Sequence, residues 1–252
     1  MQLFDLTGRT ALVTGSSMGI GLALARGLGQ AGARLVLNAR NLDRLDAVAE
    51  GLRDEGLEVD TLSFDVTDPA EVKAAIDGYE RTHQIDILVN NAGMQHRTPL
   101  HEFPEDAFDR LMRTNVNSVF YVAKAVARHM IERGAGRIIN IASVQTALAR
   151  PGIAPYTASK GAVANLTKGM ATDWARLGLN CNAIAPGYFD TPLNAALVAD
   201  PAFSEWLEKR TPQGRWGRVE ELVGAAVFLS SDASTFVNGQ TLFVDGGITA
   251  SL

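Results

Sequence analysis

The chain has 252 residues, of which 46% are hydrophobic, and its 28 acidic and 23 basic residues give a formal net charge of −5. This apolar content excludes an intrinsically disordered chain. The acidic balance argues against a nucleic acid or an anionic membrane as partner. No apolar run is long enough to span a bilayer, and no basic segment precedes an apolar one at the N-terminus. With Cys181 as the single cysteine, we expect a cytoplasmic protein without disulfides.

Short apolar runs alternate with longer amphipathic stretches along the chain. The first strand is predicted at 10–14, followed by others at 34–37, 59–66, 86–89, 137–141, 180–185 and 240–244. Helices are predicted between them at 20–30, 42–52, 72–79, 108–130, 156–177 and 222–229. Apolar strands that alternate with helices predict an α/β fold of the Rossmann type, a doubly wound parallel sheet with helices on both faces. Without a flexible linker or repeat, we expect a single domain over 1–252.

One segment, 188–217, interrupts the alternation of strands and helices. It combines prolines with large aromatic residues, namely Pro192, Pro201, Pro212, Phe203, Trp206 and Trp216. The mixture predicts a substrate lid at about 188–217. The alternative is a helical insertion packed for stability, and the tryptophans are expected to pack rather than to contact substrate.

A glycine cluster lies between the first strand and the first helix. Its spacing, Gly15-xxx-Gly19-x-Gly21, differs from the more common Gly-x-Gly-xx-Gly. Glycines at this place allow backbone N–H groups to approach a pyrophosphate at a helix N-terminus. A purely structural turn is the alternative, but the position after the first strand favours a dinucleotide site that also includes Ser17, Met18 and Ile20.

The end of the second strand carries Arg40 and no acidic residue. In dinucleotide folds an acid at this point binds the ribose hydroxyls of NAD, whereas an arginine accommodates the 2′-phosphate of NADP. The sequence therefore favours NADP, although Arg40 could also be a solvated charge beside Asn41, a plausible helix cap. Asp65, followed by Val66, could bind the adenine amino group or instead stabilise the turn before Asp68.

Three side chains point to carbonyl and alcohol chemistry. Tyr156 and Lys160 are four residues apart on one helix face, and Ser143 follows the fifth strand, so all three should meet at the carboxyl edge of the sheet. A tyrosine with a pKa of about 10 is a poor base at neutral pH. We expect the Lys160 ammonium to lower the pKa of Tyr156 and so let it exchange a proton with a substrate oxygen.

Together these motifs resemble those of the short-chain dehydrogenase/reductase family. The resemblance runs from about residue 6 to the C-terminus and includes the order and spacing of Gly15-xxx-Gly19-x-Gly21, Asn90-Asn91-Ala92-Gly93, Asn115, Ser143, Tyr156-xxx-Lys160 and Pro186-Gly187. It implies a seven-stranded Rossmann sheet, an NAD(P)-dependent oxidoreductase and a dimer or tetramer. The C-terminal segment 243–248 resembles the subunit-contact segment of the family and favours a homotetramer.

The same resemblance implies roles for individual residues. Tyr156 would be the catalytic acid/base, Ser143 would orient the substrate oxygen, and Lys160 would bind the nicotinamide ribose. Asn115 would hold a water molecule that relays protons from Lys160 to solvent. Further cofactor contacts are implied for Asn91, Ala92 and Gly93 along the cofactor wall, and for Pro186, Gly187, Phe189 and Thr191 at the nicotinamide end.

Several segments resemble the members of this family that act on gluconate, namely 127–131, 148–157, 168–174, 209–212 and 214–217. This resemblance implies reversible hydride transfer between NADPH and C5 of 5-keto-D-gluconate. The alternatives are another short-chain reductase, acting on a 3-oxoacyl thioester or a 3-keto sugar acid, and a non-catalytic NADPH-binding scaffold.

An anionic polyol needs a cation and several polar groups in its site. Arg97, four residues past Gly93, is the candidate for the substrate carboxylate, although it could be a surface charge. Gln145 is expected to contact the substrate together with Ser143 and Tyr156. Gln95, His96 and Arg150 are further polar candidates, and no spacing of His, Cys and carboxylates predicts a metal site.

Overall fold

The computed structural model describes residues 2–252, which form a seven-stranded parallel sheet with helices on both faces. The strands are β1 (Thr10–Thr14), β2 (Arg34–Asn38), β3 (Val59–Thr61), β4 (Ile87–Asn90), β5 (Gly136–Ile141), β6 (Leu179–Pro186) and β7 (Thr241–Val244). Their order in the sheet is β3-β2-β1-β4-β5-β6-β7, and every neighbouring pair is parallel. This confirms the predicted doubly wound α/β sheet.

The helices occupy most of the chain between the strands. They are α1 (Gly19–Gln30), α2 (Leu42–Asp54), α3 (Pro69–Tyr79), α4 (Glu105–Met112), α5 (Ser118–Arg133), α6 (Ala154–Trp174), α7 (Ala195–Val198), α8 (Pro201–Arg210) and α9 (Val223–Ser230). One face of the sheet is covered by α3, α5 and α6, and the other by α1, α2 and α9. Burial on both faces is the reason that the strands read as continuous apolar runs.

The third strand is shorter than the sequence predicts. The sequence predicts a strand over residues 59–66, but β3 ends at Thr61. Because β2 ends at Asn38, the residues that follow β3 have no strand to pair with. The Asn38 side chain donates instead to the carbonyl oxygens of Leu62 and Phe64. The prediction was wrong here because apolar content alone does not reveal where a neighbouring strand ends.

The helix predicted over 108–130 is interrupted. A π-helical turn, Arg113–Asn117, separates α4 from α5, and the N–H of Ser118 bonds to the carbonyl oxygen of Arg113. No proline or glycine lies in this turn, so the sequence carries no local signal for the interruption. Such turns are often found at functional sites, and this one contains Asn115.

Candidate active site

A cavity of about 1160 Å³ opens along the carboxyl edge of the sheet. Its walls come from the loops that follow β1, β2, β4, β5 and β6, which is where open α/β sheets bind ligands. The first part of the segment 188–217 forms one wall through Tyr188, Phe189 and residues 191–194. Residues 188–217 are referred to as the lid segment.

All residues predicted to contact the cofactor line this one cavity. They are Gly15, Ser17, Met18, Gly19, Ile20, Gly21, Arg40, Asp65, Val66, Asn91, Ala92, Gly93, Tyr156, Lys160, Pro186, Gly187, Phe189 and Thr191. Ser143 and Gln145 line it as well. The sequence motifs therefore come together on one continuous surface.

The glycine turn is hydrogen-bonded to the loop after β4. Gly15 has a φ of +64°, in the left-handed region that favours glycine. A Cβ added to Gly21 would lie 2.4 Å from both the Gly15 carbonyl oxygen and the Asn91 Nδ2. The Asn91 amide donates to the carbonyl oxygens of Thr14 and Gly15 at 2.9 and 3.1 Å. Asn91 thus braces the turn, while the glycines leave room for that contact.

Two arginines lie at the end of the cavity next to β2. Arg40 is exposed, and its Nη1 lies 3.6 Å from the Asp65 Oδ2. Asp65 Oδ1 accepts from both the backbone and the side chain of Thr67, so this residue does stabilise a turn. Arg44, in the first turn of α2, also lines the cavity. Asn41 caps α2 as expected, accepting from the Arg44 N–H.

Tyr156 lies near the start of α6 and lines the cavity as a half-buried side chain. Removal from water raises its pKa, while the nearby Ser143 hydroxyl and the charge of Arg97 lower it. The net direction is opposite to the expected lowering by Lys160, because removal of the phenolate from water outweighs the favourable contacts. Ser143 is buried, and its hydroxyl accepts from the Gln145 N–H at 3.2 Å.

Lys160 is buried one turn further along α6. Its ammonium nitrogen donates to the carbonyl oxygen of Ile141 at 2.7 Å and lies 5.7 Å from the centre of the Tyr156 ring. Burial lowers the pKa of Lys160 to about 8. The lysine is thus fixed to the end of β5 and sits behind the phenol.

Asn115 lies behind the cavity rather than on its surface, and it is buried in the π-helical turn. Its side chain accepts from the Met94 N–H at 2.8 Å and donates to the Met94 carbonyl oxygen and the Ser159 hydroxyl. These bonds fix the loop after β4 to α6. Gly93, on that loop, would place a Cβ 3.9 Å from the Lys160 Nζ.

Several polar side chains lie at the cavity end beyond Tyr156. The Gln145 side chain is buried, its Nε2 lies 3.4 Å from the Tyr188 hydroxyl, and its Oε1 has no partner. Arg150 lines the cavity with a buried Nε that also has no partner. Burial raises the pKa of Tyr188, while the charge and hydrogen bond of Arg150 oppose that shift.

Arg97 lies outside the surface of the cavity. Its Nη2 donates to the Leu193 carbonyl oxygen and the Asn194 Oδ1, both at 3.3 Å, and so connects the loop after β4 to the lid segment. Burial and the nearby Arg150 charge lower the pKa of Arg97. Gln95 lines the cavity, whereas His96 contacts Thr98 and Phe103 outside it.

The lid segment is held by aromatic packing. The Tyr188 and Phe203 ring centres are 5.6 Å apart, and Trp206 and Trp216 contact both rings. The Trp216 indole N–H donates to the Ser204 hydroxyl at 3.1 Å. Neither tryptophan is among the residues that line the cavity, in keeping with the expected packing role.

Sequence reasoning missed several residues that line the cavity, among them Asn38, Phe64, Arg44, Arg110, Leu193 and Asn194. Arg44 had a usable signal, because it lies in the first turn of the helix that directly follows Arg40. Arg110, on α4, had none.

No helix within residues 2–252 is long and apolar enough to cross a membrane. The described residues also contain no group of three or more His, Cys, Asp or Glu side chains that could hold a metal ion.

Comparison with known proteins identifies relatives along the full chain. The chain is 63% identical over 252 residues to the gluconate 5-dehydrogenase of Gluconobacter oxydans (strain 621H), covering 100% of this chain and 98% of that protein. It is 50% identical over 252 residues to the 5-keto-D-gluconate 5-reductase of Escherichia coli (strain K12), covering 100% and 99%.

A solved structure agrees with these relatives. The crystal structure of a gluconate 5-dehydrogenase from Burkholderia cenocepacia J2315, in complex with NADP and tartrate, has 62% sequence identity and a TM-score of 0.98, covering 100% of this chain and 99% of that one. A family model described as enoyl-(acyl carrier protein) reductase matches residues 15–249. With its seven-stranded parallel sheet and its full-length relatives, the chain belongs to the short-chain dehydrogenase/reductase family.

Proposed function

We propose that this protein is an NADP-dependent oxidoreductase that interconverts 5-keto-D-gluconate and D-gluconate. The observation that carries the proposal is the arrangement of Tyr156 and Ser143 in a cavity that Arg150 also lines. A proton donor beside a cation suits a ketone that bears a carboxylate. The proposal is further supported by the two full-length relatives, which are enzymes of gluconate and 5-ketogluconate.

The residues along the cavity fit NADP(H). A Cβ at Gly21 would collide with the Gly15 carbonyl oxygen at 2.4 Å, so glycine here lets the turn fold tightly at the N-terminus of α1, where a pyrophosphate would bind. Arg40 and Arg44 supply two guanidinium groups at the end next to β2, where a 2′-phosphate would bind. When bound, NADPH supplies the hydride for reduction of the ketone. The NADP complex of the related gluconate 5-dehydrogenase supports this assignment.

The protein's own contribution is proton transfer and orientation. In reduction, the Tyr156 hydroxyl donates its proton to the oxygen on C5, while the Ser143 hydroxyl donates a hydrogen bond to the same oxygen. The raised pKa of Tyr156 keeps the phenol protonated and ready for this step. In oxidation the phenolate must form, and the nearby Lys160 ammonium and Arg97 guanidinium then stabilise its negative charge.

Lys160 and Asn115 keep this arrangement in place. Lys160 is held by the Ile141 carbonyl oxygen, and its remaining N–H groups can bind the nicotinamide ribose. Asn115 fixes the loop that carries Gly93 next to the lysine. We assign to the π-helical turn around Asn115 the water site through which Lys160 exchanges protons with solvent.

The activity is tested by following NADPH oxidation with 5-keto-D-gluconate at neutral pH. The panel includes NADH, a 3-keto sugar acid, 2-dehydro-3-deoxy-D-gluconate in the oxidative direction, and a 3-oxoacyl thioester. We expect the highest kcat/KM with NADPH and 5-keto-D-gluconate. An equal or higher kcat/KM for the thioester or the 3-keto acid would refute the substrate assignment, and cofactor binding without any turnover would favour a scaffold.

We further infer that residues 1–252 form a single catalytic domain with a lid at 188–217. The exposed side chains of Phe120 and Phe236 support a homotetramer, since large apolar groups on a surface often mark subunit contacts. Cys181, the single cysteine, is a free thiol, which supports a cytoplasmic location. Analytical ultracentrifugation tests the oligomer, and a monomer at micromolar concentration would refute it.

A further inference from the structure

The last residue of α8, Arg210, belongs to the lid segment but does not line the cavity. Its Nη1 donates to the Ser251 hydroxyl at 2.8 Å, and its Nη2 donates to the Ser251 carbonyl oxygen at 3.1 Å. Both bonds are partly buried and join positions 41 residues apart. The lid segment is therefore fastened at the end of α8 to residues 245–251, which are referred to as the tail segment.

The tail segment is a turn that is held by its own side chains. Asp245 Oδ1 accepts from the Gly247 N–H at 2.9 Å, and its Oδ2 accepts from the N–H and the hydroxyl of Thr249. Gly246 and Gly247 have φ angles of +64° and +89°, in the left-handed region that favours glycine. Because an aspartate that bonds to the backbone two residues later stabilises a turn, the tail segment is a rigid support.

This turn packs closely against the end of the lid segment. The Gln213 N–H donates to the Gly246 carbonyl oxygen at 3.1 Å. A Cβ added to Gly246 would lie 2.9 Å from the Thr211 Cγ2. One added to Gly247 would lie 3.0 Å from the Pro212 Cγ. The two backbones thus approach each other at a distance that leaves little room for a side chain.

An apolar cluster lies under the same contact. Ile248 is only 2% exposed and packs in one cluster with Leu207 and Val144, both of which are buried. Leu207 lies on α8, and Val144 directly follows Ser143. Tyr188, which lines the cavity, also packs against this cluster. The tail segment therefore shares a small core with α8 and with the cavity wall.

The first part of the lid segment lacks such support. None of residues 192–200 is buried, and Leu193 is 48% exposed although it lines the cavity. The helix in this part, α7, has only four residues. A segment with few buried apolar contacts belongs to the least stable part of a fold. The position of the lid segment over the cavity therefore depends on the contacts of α8.

We propose that Arg210 is a positioning residue, which holds the lid segment in place over the cavity by binding the tail segment. Without this bond α8 moves more freely, together with the Tyr188 and Phe203 rings that pack on each other. Only a fraction of the molecules then has a complete site, and the apparent substrate affinity falls by that fraction. Turnover at saturation is retained, because bound substrate restores the complete site. This inference rests on the proposed function, which supplies the substrate.

The test measures KM and kcat for 5-keto-D-gluconate at saturating NADPH. Arg210→Met should raise KM by roughly 5- to 50-fold and leave kcat within about 3-fold of the wild type. Ser251→Ala removes one of the two acceptors and should raise KM by about 2- to 5-fold. In the Arg210→Met protein the same change should add less than about 2-fold. The control is Lys209→Met, at an exposed cation that pairs with Glu205 on α8, and it should change neither constant.

Tryptophan fluorescence tests the bond without turnover. The chain has three tryptophans, of which Trp206 and Trp216 lie in the lid segment. Trp174→Phe therefore leaves only the lid tryptophans as fluorophores. In this background Arg210→Met should raise the quenching of their emission by acrylamide, whereas Lys209→Met should not.

The proposal is overturned if Arg210→Met leaves either KM or the acrylamide quenching unchanged. A fall in kcat without an increase in KM also overturns it, since that result indicates a general loss of structure. So does a KM increase that accompanies a change of oligomeric state in ultracentrifugation, because the tail segment would then act through subunit contacts. If thermal unfolding shows that Arg210→Met is misfolded, Ser251→Ala decides by the same criteria.

These outcomes separate the inference from the proposed function. Wild-type enzyme that does not reduce 5-keto-D-gluconate refutes the proposed reaction. The quenching of the lid tryptophans then decides alone whether Arg210 holds the lid segment. Full turnover by the wild type with unchanged KM in Arg210→Met leaves the proposed function standing and overturns the inference.

Discussion

The Lys160 ammonium donates to the carbonyl oxygen of Ile141 at 2.7 Å, so the catalytic helix α6 is tied through its lysine to the end of β5. This cation has no carboxylate partner among residues 2–252, and burial alone lowers its pKa. The protein thus keeps a costly buried charge at the point where Tyr156 needs an electrostatic partner.

The free energy of unfolding, measured as a function of pH, reports on the buried Lys160 charge. The pKa of Lys160 falls from 10.5 to about 8 on folding, so between these values the unfolded chain binds more protons than the folded one. Stability contributed by this site therefore rises with pH across that window. Relative to Lys160→Met, the wild type should gain roughly 1 to 3 kcal/mol in its free energy of unfolding.

The measurement is urea denaturation of the cofactor-free proteins at several pH values, with Lys168→Met as the control. Lys168 is an exposed lysine on the same helix. The free energy of unfolding of Lys168→Met, plotted against pH, should run parallel to that of the wild type. Parallel curves for Lys160→Met as well would contradict the assigned burial of the charge.

Replacement of Tyr156 by Phe removes the proton donor and leaves the ring. We expect kcat to fall by roughly 10²- to 10⁴-fold, the usual contribution of a positioned acid or base. NADPH affinity, measured by fluorescence, should stay within about 3-fold of the wild type. Tyr121→Phe, at a half-buried tyrosine on α5, is the control and should retain activity. An active Tyr156→Phe enzyme would refute the assigned role.

Arg40→Ser tests the cofactor assignment. Removal of a guanidinium that binds a phosphate should raise the KM for NADPH by roughly 10- to 100-fold, while the KM for NADH stays nearly constant. Arg44→Ser should show a smaller effect of the same kind, because Arg44 lines the same end of the cavity. The control is Arg26→Ser, whose guanidinium pairs with Glu55 on the surface. Equal losses for NADPH and NADH would argue against a 2′-phosphate contact.

Two glycine-to-alanine changes give opposite predictions. A Cβ at Gly21 would lie 2.4 Å from the Gly15 carbonyl oxygen, so Gly21→Ala must displace the turn, and we expect loss of NADPH binding. At Gly51, within α2, a Cβ meets nothing within 4 Å. Gly51→Ala should therefore stabilise the protein by about 0.5 to 1 kcal/mol, the gain in helix propensity. Thermal unfolding and NADPH titration of both variants check this pair, and intact binding in Gly21→Ala would disprove the packing argument.

The sequence located the sheet and the cavity well because both depend on local patterns. Apolar runs mark the strands. Gly15 and Ser143 lie within two residues after a strand and Pro186 ends one, so the topology brings them to one edge. The parallel order of the strands follows from the alternation with helices. Motif residues at strand ends could therefore be placed without coordinates.

The errors arise where long-range contacts decide. The extent of β3 depends on where β2 ends, and the sign of the Tyr156 pKa shift depends on how deeply the phenol is buried. The position of Arg97 four residues past Gly93 also does not reveal the contact of its guanidinium with Leu193 on the lid segment, and the predicted contact of Arg97 with the substrate stays a prediction. Such facts depend on the surroundings of a side chain and have no signature in its neighbours along the sequence.

The π-helical turn at Arg113–Asn117 also restricts how this protein can change. Each residue of an α-helix advances by about 100° around the axis, so deletion of one residue from the turn would restore regular helical geometry and rotate the whole of α5 by that angle. Val122 and Val126 would then turn away from the sheet, and polar side chains would face it. The extra residue of the π-helical turn, which presents Asn115 to its partners, therefore depends on the hydrophobic pattern of α5. Loss of that residue would require many simultaneous substitutions along α5 to restore an apolar face toward the sheet.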